Sequence, residues 1–133
     1  PGAAQVLLRT IWLSLDPYMR GRMSDAASYA APVQIDQVME GGTVSEVIAS
    51  NNPEFKAGDV VLSRAGWQTH FVSDGRGLRK VDPSVAPIST ALGVLGMPGM
   101  TAYTGLLDIG KPQSGGTGVA AGVGGLARRS DRR

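Results

Sequence analysis

The residues of this chain that could do chemistry are few, and most are hydroxyls. There is no cysteine, which excludes disulfides, thiolate metal sites and cysteine nucleophiles together. The single histidine, His70, argues against a histidine-based metal site. Tyr18 stands in Asp16-Pro17-Tyr18-Met19-Arg20, and Thr101 stands in the first turn of a helix that Pro98 can open. A tyrosine hydroxyl can donate a hydrogen bond, and a threonine hydroxyl can donate or accept one. Each has a plainer alternative. The Tyr18 ring can pack on the fold with its hydroxyl in water, and Thr101 can bond its own helix. Arg20 and Arg22 could meet a phosphate, but exposed arginines in a turn are ordinarily solvated. Alternation around Phe71 turns His70 outward, as a solvated or structural residue, and makes Trp67 core.

The elements that must position these side chains are short. Residues 6–15, VLLRTIWLSL, read as a strand buried on both faces for part of its length, stopped at Asp16-Pro17. Tyr18 to Met23 make a turn or helical turn, and residues 24–37 a loop. Strands follow at 43–50, at Val60 to Leu62, at Trp67 to Val72 and at Leu78 to Val81, separated by turn residues such as Asn51-Asn52-Pro53 and Asp74-Gly75. About five short strands at close spacing suggest a small barrel or sandwich. The pattern then changes. Pro87 to Leu95 is helix-like, with Ile88, Ala91, Leu92 and Leu95 at helical spacing. A second helix starts near Pro98 and stops at Gly110.

The 133 residues suffice for one domain and not for two full ones, and an apolar fraction of 42% can build a core. The net charge of +2 is a property of the tail: residues 128–133 hold four arginines and one aspartate, and without them nine bases face ten acids. No aromatic residue lies near those arginines, so a nucleic-acid partner is not expected. No run approaches the roughly 18 apolar residues of a membrane span, and no basic-then-apolar leader opens the chain, so a cytoplasmic location is expected. The chain starts at Pro1 rather than Met, as a fragment or a processed product would.

Five strings carry a resemblance: LSLDPYMRGRM (13–23), VMEGGTV (38–44), FKAGDVVL (55–62), GWQTHFVSDGRGLRKVD (66–82) and ALGVLGMPGMTAYTGLLDIG (91–110). Together they resemble the zinc-independent medium-chain dehydrogenase/reductases, in the branch of the NADPH-dependent alkenal, curcumin and prostaglandin reductases. The resemblance runs in order over roughly residues 5–112. It implies a mainly β fold with two short helices, a GroES-like partly open β-barrel, with a Rossmann domain expected after about residue 112. It implies reduction of the carbon–carbon double bond of α,β-unsaturated aldehydes and ketones, with hydride passing from NADPH to the β-carbon. A small-molecule enone would be the substrate and the full-length protein a homodimer. Quinone oxidoreductases share the fold and cofactor and remain an alternative, as does a barrel acting as an interaction module without chemistry.

The resemblance also assigns residues. Zinc-dependent relatives carry a His-Glu pair where this chain has Met39-Glu40, and a cysteine ligand near Leu13 to Asp16. Neither ligand is present, so no zinc is expected and hydrogen bonds must stabilise the developing enolate. Tyr18, Met39, Met97 and Tyr103 are implied at the substrate, and Pro17 and Thr101 at the cofactor. No residue is implied as catalytic beyond these binding roles. Three segments are expected: a barrel domain at 1–86, a helical junction at 87–112, and a Gly/Arg-rich tail at 113–133 without regular structure. Gly122 to Ala127 matches G-x-G-x-x-A, yet too few residues follow it for a βαβ unit. Out-of-register reading of GC-rich codons would explain the glycine and arginine there. Most contacts to NADPH are expected in the segment that family members carry beyond this point.

Overall fold

Val6 opens a run of apolar and β-branched residues, and this run becomes an interior strand of the sheet. The computed structural model describes residues 1–116, 118–122 and 125–129. The strands are β1 (Val6–Leu13), β2 (Thr43–Ser50), β3 (Val60–Ser63), β4 (His70–Ser73) and β5 (Arg79–Lys80). They form one antiparallel sheet in the order β4-β1-β2-β3-β5. The sheet is open, with β4 and β5 as its edges, in agreement with the partly open barrel expected. Two short α-helices accompany it, α1 (Tyr18–Arg22) and α2 (Met97–Tyr103).

The register explains which side chains form the core. Leu8 faces Val47 across the β1–β2 ladder, and the next pair outward is Arg9 and Glu46, joined as an ion pair. Successive residues of a strand point to opposite faces, so the apolar pair goes in and the charged pair goes out. Val6, Leu8, Val47, Phe55 and Val61 make the core, with Phe71 and Leu78 packed against it. Fully burying each such side chain stabilises the fold by roughly 1.5–3 kcal/mol. Register shifts between Leu7 and Leu8 and between Thr10 and Trp12 mark irregularities in the ladder. Ile11, at the second shift, and Trp12 after it are exposed. Toward the other end of β2 the interior is polar: the hydroxyls of Thr43 and Ser63 lie 2.6 Å apart, and Ser45 donates to Thr43 at 3.5 Å.

The turns are tied by side chains. The Asn52 amide nitrogen donates to the carbonyls of Ala4 and Asp74, each at 3.2 Å, while its oxygen accepts from the Glu54 N–H at 2.9 Å. Asp59 accepts from the Lys56 N–H at 3.1 Å and from Lys80 Nζ at 2.8 Å. The Lys80 hydrogen bond, helped by the Lys56 N–H, holds the Asp59 carboxyl below its usual 3.8 against a smaller desolvation effect. A lowered carboxyl value stabilises the fold at pH above the unfolded value, and that contribution fades as pH falls through the folded one. Asp59→Asn is therefore expected to cost about 1 kcal/mol at pH 7, since the partner lysine is half exposed. Urea melts of the two proteins should converge as the pH drops below 3.8. A gap that stayed constant with pH would contradict this account.

Three expectations are corrected here. The strand expected from Trp67 begins at His70, because the Trp67 N–H is spent on the Met39 carbonyl at 2.9 Å instead of on β1. Trp67 is 45% exposed rather than core, since Gly66 turns the chain in a left-handed conformation (φ +73°) just before it. The helix expected over 87–95 shrinks to a 3-10 turn at Ile88–Leu92, with the Thr90 N–H and hydroxyl both donating to the Pro87 carbonyl.

That turn belongs to the first of two compact units, Pro1–Leu92. Its Ala91 is buried, and a Cβ on Gly42 would lie 3.2 Å from Leu92 Cδ2. In the second unit, from Gly93 on, Pro98 sits in the first turn of α2. A π-helical turn at Thr104–Ile109 follows, and the Gly110 N–H closes it on the Gly105 carbonyl. A Cβ on Gly99 would lie 1.8 Å from the Val94 carbonyl oxygen, so this approach requires glycine. The tail differs from the expectation as well. Gly118–Gly122 (β6) and Gly125–Arg129 (β7) pair as a two-stranded antiparallel sheet. Main-chain bonding in such a ladder does not depend on large side chains, which is why the glycine content did not signal it. Val123 and Gly124 of the G-x-G-x-x-A string, with Thr117 and residues 130–133, lie outside the described residues.

Candidate active site

Pro17 and Tyr18 are set by the turn that ends β1. Ser14 donates to the Asp16 carboxylate at 3.0 Å, and the Met19 N–H bonds the Asp16 carbonyl, which starts α1 directly after Pro17. Met19 is buried beneath the helix, and its methyl would meet a Cβ on Gly41 at 2.9 Å. Helix α1 therefore lies close on the glycine pair that opens β2. This brings the Tyr18 hydroxyl to 3.5 Å from the Glu40 carbonyl. The contact is long, so the hydroxyl hydrogen stays available to another acceptor.

Met39, Glu40 and Gly41 are fixed by main-chain bonds on either side. The Gly66 N–H donates to the Gly41 carbonyl at 3.1 Å and the Trp67 N–H to the Met39 carbonyl. Met39 itself is buried, whereas Glu40 is exposed. Arg22 is not the solvated arginine expected: its side chain is 16% exposed and forks onto the Glu40 carboxylate at 3.2 and 3.5 Å. Arg20 is exposed, as the turn suggested. His70 is exposed too, with its Nδ1 3.3 Å from the Thr69 hydroxyl. Beside this region Thr10, Leu13, Trp67, Gln68 and Thr69 line an open depression of about 300 Å³. The Thr10 hydroxyl there is shielded and has no partner among the described residues.

Met97, Thr101 and Tyr103 share α2 in the second unit, and all three are exposed. The Thr101 hydroxyl donates to the Met97 carbonyl at 2.8 Å, the plainer of its two readings. That bond uses its only hydrogen and leaves its oxygen lone pairs as acceptors. Among the described residues no three acidic, histidine or cysteine side chains cluster as metal ligands would, and no helix is long and apolar enough to cross a membrane.

The pairing of Arg22 with Glu40 was missed in the sequence. The residues are 18 apart and no periodicity joins them. Only the fold, which lays α1 over the start of β2, brings them together.

Residues 1–81 match the family model of the N-terminal domain of oxidoreductases. The chain is 59% identical over 121 residues to an NADPH-dependent curcumin reductase of Escherichia coli, covering 91% of this chain and 35% of that protein. It is 44% identical over 108 residues to prostaglandin reductase 1 of Rattus norvegicus, covering 79% of this chain and 31% of that protein. The crystal structure of CurA from Vibrio vulnificus in complex with NADPH superposes with a TM-score of 0.77 at 57% identity, covering 86% of this chain and 34% of that one. The chain thus spans about a third of the length of the relatives it matches. It belongs to the family of oxidoreductase N-terminal domains, and the relatives it is similar to are curcumin, prostaglandin and alkenal reductases.

Proposed function

We propose that this chain is the amino-terminal catalytic part of an NADPH-dependent reductase of the carbon–carbon double bond in α,β-unsaturated ketones or aldehydes. The observation that carries the reading is the 59% identity to a curcumin reductase over nearly the whole chain. The site geometry supports it. Tyr18 offers a hydroxyl hydrogen not committed to a short bond, which suits the carbonyl oxygen of an enone as it gains enolate charge. Met39 stands where zinc-dependent relatives have a histidine ligand, so this hydrogen bond takes the polarising role.

The α2 residues fit the nicotinamide end of the cofactor. Thr101, with its hydrogen already donated, can accept from a carboxamide NH₂, and exposed Met97 and Tyr103 supply apolar surface nearby on the same helix. Pro17 is the other residue that this reading assigns to the cofactor. When bound, NADPH supplies the hydride for the β-carbon. In the same reading Met39, Met97 and Tyr103 border the enone, and the intact protein is a cytoplasmic homodimer. The 133 residues alone are expected not to turn over, because relatives of this length of match carry about two thirds of their chain beyond it.

The test is a chimera joining residues 1–112 to the remainder of the E. coli curcumin reductase, assayed for NADPH oxidation with an enone and for the saturated ketone as product. The chimera should be active and the 133-residue chain silent. Tyr18→Phe should slow the chimera about tenfold, the worth of about 1.4 kcal/mol from one hydrogen bond in the transition state. A folded chimera without enone-dependent oxidation would remove the proposal.

A further inference from the structure

We infer that Arg22, acting through Glu40, is a positioning residue for the Tyr18 hydroxyl. The importance of that hydroxyl rests on the enone-reductase reading, whereas the positioning rests on geometry alone. Helix α1 has five residues, no side-chain cap at its start and no acidic residue in its first turn. A helix this short has no stability of its own, so outside contacts must set its placement. Buried Met19 fixes how closely it approaches Gly41. A single packed side chain still leaves the helix free to rock about that point.

Tyr18 and Arg22 are four residues apart and so share one face of the helix. Both reach the same residue. Tyr18 meets the Glu40 carbonyl at 3.5 Å, and the two terminal nitrogens of Arg22 take one carboxylate oxygen each, at 3.2 and 3.5 Å. Glu40 is a firm anchor, because the carbonyls before and after it accept from Trp67 and Gly66. The Arg22 carbonyl in turn accepts from the Val33 N–H at 2.8 Å, which ties the end of the helix to the following loop. The Arg22 Nε–H is shielded without a partner among the described residues, a cost accepted to bring the guanidinium edge onto Glu40.

The ion pair itself adds little stability, since the Glu40 side chain is 53% exposed. Its planar fork constrains direction, which a lysine would do less well. Without the fork, α1 can turn and the Tyr18 hydroxyl leaves the Glu40 carbonyl.

The 133-residue chain carries three tyrosines, Tyr18, Tyr29 and Tyr103, which can be replaced by 3-fluorotyrosine and followed by fluorine NMR. Tyr18→Phe assigns the Tyr18 signal. Arg22→Met and Glu40→Gln should each displace that signal by more than its linewidth and leave the other two in place, with Arg22→Lys falling between. Should Arg22→Met fail to fold, Glu40→Gln decides, because it is a near-isosteric change at an exposed side chain. A Tyr18 signal that stays put, or all three signals moving together as in general loosening, would overturn the inference. A displaced Tyr18 signal together with an inactive chimera would sink the reductase reading and leave the positioning intact.

Discussion

Gly66→Ala is expected to cost the fold on the order of 3 kcal/mol. Left-handed backbone at an L residue costs about 1–2 kcal/mol, and a strained or lost buried hydrogen bond adds about 1 or more. Both apply at this position. Gly66 has φ +73°, and an alanine Cβ would lie 2.2 Å from the Met39 carbonyl oxygen and 3.1 Å from its carbon. The obstacle is backbone, so no rotamer change relieves it. The Met39–Gly41 segment would have to move away, and with it the bonds that Trp67 and Gly66 donate. Gly77→Ala is the control: φ is +75° there, but nothing lies within 4 Å of the added carbon. It should show the conformational cost without the steric one. Urea unfolding followed by tryptophan fluorescence reads both variants, and equal midpoints for the two would rule out the close approach to Met39.

Leu8→Ala should be nearly as damaging, at about 3 kcal/mol within the range of roughly 2–5 for such core truncations. Leu8 has no exposed surface and belongs to the cluster of Val6, Val47, Phe55 and Val61. It sits on the strand that pairs with both β2 and β4, so the sheet cannot readily collapse into the space left behind. Marginal domains hold only about 5–15 kcal/mol in total, and such a loss raises the unfolded fraction roughly a hundredfold. The melting temperature should fall by more than about 10 °C. Leu15→Ala, at a residue 72% exposed, should change stability by no more than about 0.5 kcal/mol. Similar losses at both positions would mean that the core has been misassigned.

What could be read without coordinates was what depends on local pattern. The apolar run at 43–50 and the Pro98 signal each led to an element at the expected place, Thr43–Ser50 and Met97–Tyr103. Tyr18 was found in a recognisable string. What could not be read depends on contacts made across the fold. Trp67 had the right type and spacing for a buried strand, but its N–H is claimed by Met39, far away in sequence. Alternation says nothing about such a competing acceptor. Arg22 looked like a solvated turn residue for the same reason, since its partner enters only when α1 lies on the start of β2. The hydroxyls of Thr43, Ser45 and Ser63 are buried and bonded to one another, a chain that joins two strands and leaves no mark on the pattern of either.

Asn52 shows how one side chain carries a burden that its neighbour protects. Its amide serves the amino-terminal stretch at Ala4, its own turn at Glu54 and the turn at Asp74. Asparagine side chains age by cyclisation, when the next residue's main-chain nitrogen attacks the amide carbon and ammonia leaves. The next residue here is Pro53, which has no N–H to offer. The amide on which three separate stretches depend is therefore spared that route, and the corner it holds should lose ammonia more slowly than Asn51, whose next residue does offer an N–H.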